Sequence, residues 1–396
     1  MAPILESARI KNYKSLGDIN LSFRKLTIIV GANSSGKSCS LESLRLLRAI
    51  VKAGRTPPSS YLEDDIRGGE ESAGMTLQVF IKENKKKVNY SVNLTVKDNL
   101  EGNSVVLSEE LKVAGIKVIS ISKGEGNIQD ERTNVNRSKI PYSAITSDTV
   151  ALTSIGSLGD KPITRSVYNF IQGWEFYDLD PDFIRSYAIV HRRNENTPEN
   201  PTSLDFYGQH LQGLLQHWAS DDMQTFQDVS DEVRRYLNID LVAIDDKSRL
   251  VVKAKESNGL EIPFSNLSDG TLRMIGYCSL LYSPYIPTLI AIEEPERNLH
   301  PGILQDIASI LQRLSQKTQV VITTHSSQLL DCFSVEDISN KDVSIILFKK
   351  NPDSGTEAIG LDTLSQNFSG LQDWMKDFGI GDAIYHSNLL QEVLKN

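Results

Sequence analysis

The chain has 396 residues, enough to bury a sizeable core in two or three domains, and its 39% apolar and 23% charged content excludes the disordered, collagen-like and coiled-coil classes. A formal net charge of −9 argues against a surface that is basic throughout, so nucleic acid would need a local groove. The three cysteines, Cys39, Cys278 and Cys332, are scattered and form no C-x-x-C pair, which speaks against a zinc site, a redox motif or a disulfide framework and suits a reducing cytoplasm.

The first fourteen residues lack the apolar stretch of a secretory signal. Residues 4–10 and 19–23 alternate as paired strands do, and 26–30 is a continuous apolar run of the buried-strand kind. After a glycine-rich turn, Leu41, Leu44, Leu46, Leu47, Ile50 and Val51 recur at helical spacing until Gly54, Pro57 and Pro58 end the element. Alternation returns over 75–122, with turns at 84–87 and 99–103, and predicts an antiparallel sheet. Residues 124–165 are rich in Ser, Thr, Asn and Lys and are expected to include mobile loops. From 166 to 238 the period is helical, with Leu211, Leu214, Leu215 and Trp218 on one face, which predicts an inserted helical subdomain. The uncharged run 274–292 is cut by Pro284 and Pro287 and reads as helix, turn and buried strand, so no membrane span is expected. Residues 288–292 and 319–323 are apolar strands, each next to a helix, as in a parallel sheet. Four segments are expected: 1–55, 56–165, 166–250 and 251–396.

Three clusters carry chemistry. Gly31-Ala-Asn33-Ser34-Ser35-Gly36-Lys37-Ser38 is a complete G-x-x-x-x-G-K-[ST] loop between a β-branched strand and a helix. Its glycines let backbone N–H groups, up to Cys39 on the helix start, turn toward phosphate oxygens; Lys37 neutralises charge and the Ser38 hydroxyl suits Mg2+. In Leu289-Ile-Ala-Ile-Glu293-Glu294-Pro295-Glu296 a buried strand delivers two adjacent carboxylates to its C-terminal end, one suited to the metal's water shell and one to polarising a water. Thr323-Thr324-His325-Ser326 places an imidazole at the end of another strand, where it can hydrogen-bond a phosphate.

With Asn266-Leu-Ser268-Asp269-Gly270-Thr-Leu-Arg273 between them, these motifs stand in the order of ABC-type ATPases. The opening Ile10-Lys-Asn-Tyr13-Lys14-Ser15 resembles the start shared by the SMC, RecF and OLD branch, and the chain is similar to stand-alone bacterial RecF/OLD-like AAA family ATPases whose signature reads L-S-D-G-T-L-R. That resemblance implies an α/β fold: a P-loop ABC-type ATPase head with an antiparallel β subdomain and an inserted helical subdomain. It further implies hydrolysis of ATP with Mg2+ in a homodimer, where Ser268 and Gly270 act in trans on the γ-phosphate. Glu294 matches the catalytic glutamate, His325 the switch histidine, Lys14 a residue that touches ATP, and Glu293 with Ser38 the metal position. The implied role is regulating or sensing in DNA repair or anti-phage defence, with an effector such as a nuclease in trans.

The sequence departs from the class pattern at Glu293, usually Asp, and at Asp269, usually glycine; Gln78 is a weak candidate for the Q-loop. Two alternatives stay open. A self-contained nuclease would draw on Asp178, Asp180 and Asp182, which also read as a turn at a helix start. A DNA-binding repair ATPase without effector would draw on Lys82, Lys85, Lys86, Lys87, Arg192 and Arg193, which also read as solvated charge. Trp374 and Phe378 near the end suit either a docking surface or packing.

Overall fold

The computed structural model describes residues 2–67, 74–96, 105–131, 139–144, 146–158, 161–186, 201–246, 249–351, 354–367 and 370–385. In chain order the strands are β1 (Ile4–Tyr13), β2 (Leu16–Ser22), β3 (Leu26–Gly31), β4 (Met75–Glu83), β5 (Lys86–Thr95), β6 (Val105–Val113), β7 (Ile116–Ser122), β8 (Glu125–Ile128) and β9 (Ile140–Ser143). Then follow β10 (Trp174–Tyr177), β11 (Ile239–Asp246), β12 (Arg249–Glu256), β13 (Glu261–Pro263), β14 (Leu289–Glu293), β15 (Gln319–Thr324), β16 (Val343–Asn351) and β17 (Gly355–Gly360). The described helices of eight or more residues are α1 (Lys37–Ala53), α2 (Ala151–Leu158), α3 (Pro162–Gln172), α4 (Leu211–Asp221), α5 (Met223–Leu237), α6 (Asp269–Tyr282), α7 (Leu304–Lys317) and α8 (Leu371–Phe378). Contacts group the chain into two units: Met1–Trp174 with Asp337–Gly370, and Glu175–Glu336 with Leu371–Asn396.

In the first unit the strand order is β3-β16-β17-β2-β1-β4-β5-β6-β7-β8-β9. Leu26, Ile28, Ile29 and Val30 of β3 are wholly buried, each worth on the order of 1.5–3 kcal/mol of burial. A strand from far downstream, β16, pairs parallel with β3 from Val343 opposite Leu26 to Phe348 opposite Gly31. The antiparallel meander expected over 75–122 is β4 to β7; Leu77, Val79 and Ile81 face inward with Val88, Tyr90 and Val92, while Gln78 and Asn89 lie on the more open face. Helix α1 turns Leu41, Leu44, Leu47 and Ile50 to the core and ends at Gly54, whose φ of 72° is the left-handed cap that glycine allows.

Within 124–165 the described residues form β8, β9, α2 and the start of α3, while 132–138, 145 and 159–160 of this segment lie outside the described residues. Two buried glutamates explain the helices. Glu109 accepts hydrogen bonds from the N–H groups of Ala151 and Leu152, and Glu131 from those of Ile163 and Thr164, so each helix start is capped by a residue remote in sequence.

In the second unit β14 and β15 pair in parallel, register Leu289 to Gln319 through Glu293 to Thr323, with α7 between them in sequence. Leu289, Ile290 and Ile292 are buried beside Val320, Val321 and Ile322, which explains their uninterrupted apolar runs. The helical reading of 166–238 fails at 174–177, where β10 neighbours β14 and buries Phe176 and Tyr177. A short aromatic run carries no period long enough to separate strand from helix. A second antiparallel sheet, β11-β12-β13, packs against α4 and α5. The run 274–292 is the body of α6, a loop and β14, and no described helix is long and apolar enough to cross a membrane.

Candidate functional site

The glycine loop leaves β3 at Gly31 and enters α1 at Lys37. Ala32, Asn33 and Ser34 are exposed, Ser35 and Gly36 are buried, and Ser34 and Gly36 are left-handed, with φ of 62° and 98°. Gly36 has no substitute, since a Cβ there would lie 2.6 Å from Thr356 Oγ1 and 2.7 Å from Ser15 Oγ. Lys37 is buried, and its ammonium donates to the carbonyls of Gly31 at 2.8 Å and Ala32 at 3.1 Å. Ser38 is exposed on the first turn and Cys39 half-buried behind it.

A residue the sequence did not single out clamps this loop. Thr356 on β17 donates from Oγ1 to the Ser35 carbonyl at 2.8 Å, and its N–H donates to the Ser15 carbonyl at 2.9 Å. Nothing in its local spacing marks it, because the contact bridges more than 300 residues. Lys14, on the same β1–β2 turn, ion-pairs with Glu42 of α1 at 2.6 Å and Asp65 at 3.4 Å. Partial burial alone would lower its ammonium, but the two carboxylates outweigh that and hold it above the usual lysine range. It lines a cavity of about 270 Å³ with Tyr13, Glu42, Arg45 and Asp65.

In the second unit β14 and β15 end side by side. Glu293 is the last residue of β14, half-buried and opposite Thr323. Glu294 has a φ of 40°, a left-handed conformation that costs a non-glycine residue on the order of 1–3 kcal/mol. Its N–H donates to the Thr323 carbonyl at 3.1 Å, which holds that turn, and its Oε1 lies 3.1 Å from His325 Nδ1. Glu296, to which the sequence assigns no role, joins the two turns. Its Oε1 accepts from the Thr324 hydroxyl at 2.5 Å and the His325 N–H at 3.3 Å, tying the carboxylate turn to the histidine turn. Burial pushes the Glu296 carboxyl above the usual range, with those hydrogen bonds offsetting part of the rise.

The signature segment opens α6. Ser268 is its N-cap, Oγ accepting from Thr271 N at 3.2 Å, and Gly270 lies in the first turn. Asp269 is ion-paired to Arg185 at 2.5 Å. The acidic trio is dispersed: Asp178 pairs with Arg297, Asp180 caps the helical turn at 181–186, and Asp182 pairs with Arg185. Gln78 is engaged with Asn89 on the open face of β4 at 3.0 Å. Lys82, Lys85 and Lys87 are exposed at the β4–β5 hairpin, whereas Arg192 and Arg193 lie outside the described residues.

A buried strand, phosphate-type loop and helix in one unit, and a carboxylate-tipped parallel pair with a capped signature helix in the other, make this chain a P-loop ATPase with the fold of an SMC head. Its fold matches an Smc head bound to the C-winged helix domain of ScpA, with a TM-score of 0.52 and 15% identity over 90% of this chain and 97% of that one. An Smc head domain with an extended coiled coil, bound to the C-terminal domain of ScpA derived from Pyrococcus furiosus, gives a TM-score of 0.51 and 13% identity over 91% and 96%. Residues 26–331 match the family described as "AAA domain, putative AbiEii toxin, Type IV TA system", and the chain belongs to that family. A curated relative, an ATP/GTP phosphatase of Helicobacter pylori (strain ATCC 700392 / 26695), is 23% identical over 343 residues, 83% of this chain and 87% of that protein.

Proposed function

We propose that the protein is an ATP-hydrolysing, Mg2+-dependent switch that works as a homodimer and regulates a partner protein in the cytoplasm. The observation that carries the reading is the Glu294–His325 contact at 3.1 Å on a strained turn, because strain of this kind is kept where geometry serves chemistry. Lys37 and the amides of Asn33 to Cys39 bind the phosphates. The exposed Ser38 hydroxyl and the half-buried Glu293 carboxylate are the oxygen donors that would hold Mg2+, which would supply charge neutralisation to the phosphates. Glu294 takes the proton of the attacking water as the water oxygen bonds to the γ-phosphorus and the bond to the bridging oxygen breaks. His325 contacts the γ-phosphate, Lys14 the nucleotide, and Ser268 and Gly270 a γ-phosphate held by the second copy.

A protein partner is supported by the family's toxin–antitoxin description and by the ScpA domain on the Smc head. Trp374 and Phe378, tilted together at 5.1 Å on α8 and exposed, offer an anchor for an effector such as a nuclease, in defence or repair. The exposed Lys82, Lys85 and Lys87 support a second reading, a DNA-binding repair ATPase that needs no effector. A nuclease within the chain is disfavoured, since Asp178, Asp180 and Asp182 are each engaged elsewhere.

The test mixes two inactive chains. Ser268→Arg keeps its own Lys37 and Lys37→Ala keeps its own signature, so a mixed dimer contains one composite site with both parts intact. Phosphate release should return as the ratio is titrated. Mixed dimers that form, bind ATP and stay inactive at every ratio would refute action in trans.

A further inference from the structure

We propose that Arg185 is the positioning residue that lets a signature loop carrying Asp269 face a triphosphate: its guanidinium cancels the carboxylate and fixes the loop around Ser268. The proposal rests on the reading that Ser268 and Gly270 meet a γ-phosphate.

Asp269 stands between the two groups assigned to that phosphate, at the first position of α6, with a side chain 45% exposed. A carboxylate there, left to itself, repels the anion its neighbours must bind. The glycine usual in the ABC class poses no such problem. The structure supplies the compensation: Arg185 Nη2 donates to Asp269 Oδ1 at 2.5 Å and to the Leu267 carbonyl at 2.9 Å. One guanidinium therefore grips the residue before Ser268 and the residue after it. Its other arm, Nη1, donates to Asp182 at 3.0 Å, and Asp180 Oδ1 accepts from the N–H groups of Asp182 and Phe183 at 2.8 and 3.4 Å, so the helical turn bearing Arg185 is itself capped. The second oxygen of Asp269 accepts from Asn298 Nδ2 at 3.4 Å. Asn298 follows the turn of Glu294 and Glu296 by a few residues, which links the signature helix to the reacting carboxylates within one unit. A lysine has no planar fork and would not hold Asp182 and Asp269 together.

Charge cancellation has a signature that a merely structural role lacks: removing both charges should repair what removing one breaks. Arg185→Ala, with Arg185→Gln as the variant that keeps more of the stem, should lower kcat/KM for Mg-ATP by about tenfold or more while direct nucleotide binding through Lys37 changes by less than about twofold. Adding Asp269→Asn to Arg185→Ala should bring kcat/KM back to within about threefold of Asp269→Asn alone. Circular-dichroism melts of all variants establish that each is folded; if Arg185→Ala is not, Arg185→Gln and its double variant carry the comparison. Wild-type turnover in the folded single variants, or a double variant no better than the single, overturns the proposal. Ser268→Arg separates the two failures. If it hydrolyses ATP normally, the signature reading falls and this inference with it; if it is inactive while the Arg185 variants are normal, the inference falls alone.

Discussion

Buried at the base of its loop, the Lys37 ammonium holds two carbonyl oxygens, which are weaker partners for a cation than phosphate oxygens. Lys37→Ala should weaken ATP binding by about 1.5–3 kcal/mol, read by isothermal titration with Mg2+; an unchanged dissociation constant would remove the loop assignment. Glu294→Gln preserves shape but cannot take the water's proton, so turnover should fall by roughly 10²–10⁴-fold while ATP stays bound. Native-rate phosphate release from that variant would move the role to another group. Lys37, Ser38, Glu294 and His325 were legible as motifs because their chemistry depends on spacing along the chain. Thr356, Glu296 and Arg185 were not, because what defines each is a contact with a residue remote in sequence or outside any motif of its own.

At the scale of elements, the polar composition of 124–165 conceals helix α2 and the start of α3. The start of α2 is held by Glu109 from β6, whose carboxylate accepts from Ala151 N at 2.6 Å, Leu152 N at 2.8 Å and the Tyr90 hydroxyl at 3.1 Å. No local cap signals that helix, so no reading of nearest neighbours finds it. Burial pushes the Glu109 carboxyl up to about 7, against the lowering effect of those three hydrogen bonds. The folded value lies above the unfolded one, near 4.5, so the native state keeps a proton that the unfolded chain releases. Stability is therefore fullest below the unfolded value and is lost as pH rises through about 7. Urea unfolding at mildly acidic and mildly alkaline pH should show this slope in the native protein and a flatter one in Glu109→Gln. Equal slopes would mean that Glu109 titrates alike in both states. The continuous strands at 26–30, 288–292 and 319–323, by contrast, were plain from composition, because strands buried on both faces read as unbroken apolar runs.

For the whole molecule, the sequence conveyed the α/β class and the antiparallel sheet but not the return of β16 and β17 to the strands of the amino-terminal segment. Strand pairing at such separation leaves no periodic trace. The proposed dimer makes a prediction at this scale. Glu294→Gln with Mg-ATP should elute, by light scattering, at about twice the 44.1 kDa of one chain, whereas Lys37→Ala under the same conditions should remain single. A Glu294→Gln chain that binds ATP and stays single would show that nucleotide does not close two copies together.

The clamp of Thr356 on Ser35 also sets a schedule for the ribosome. The partner strand β16 of the glycine loop and its clamp on β17 emerge about 300 residues after the loop itself. At roughly 5–20 residues per second that interval is tens of seconds, during which the loop cannot adopt its finished form and the apolar edge of β3 lacks a parallel neighbour. Competence to grip a nucleotide is thereby deferred until β17 has been made, and a chain terminated before it carries the phosphate-loop sequence without the means to hold it in shape.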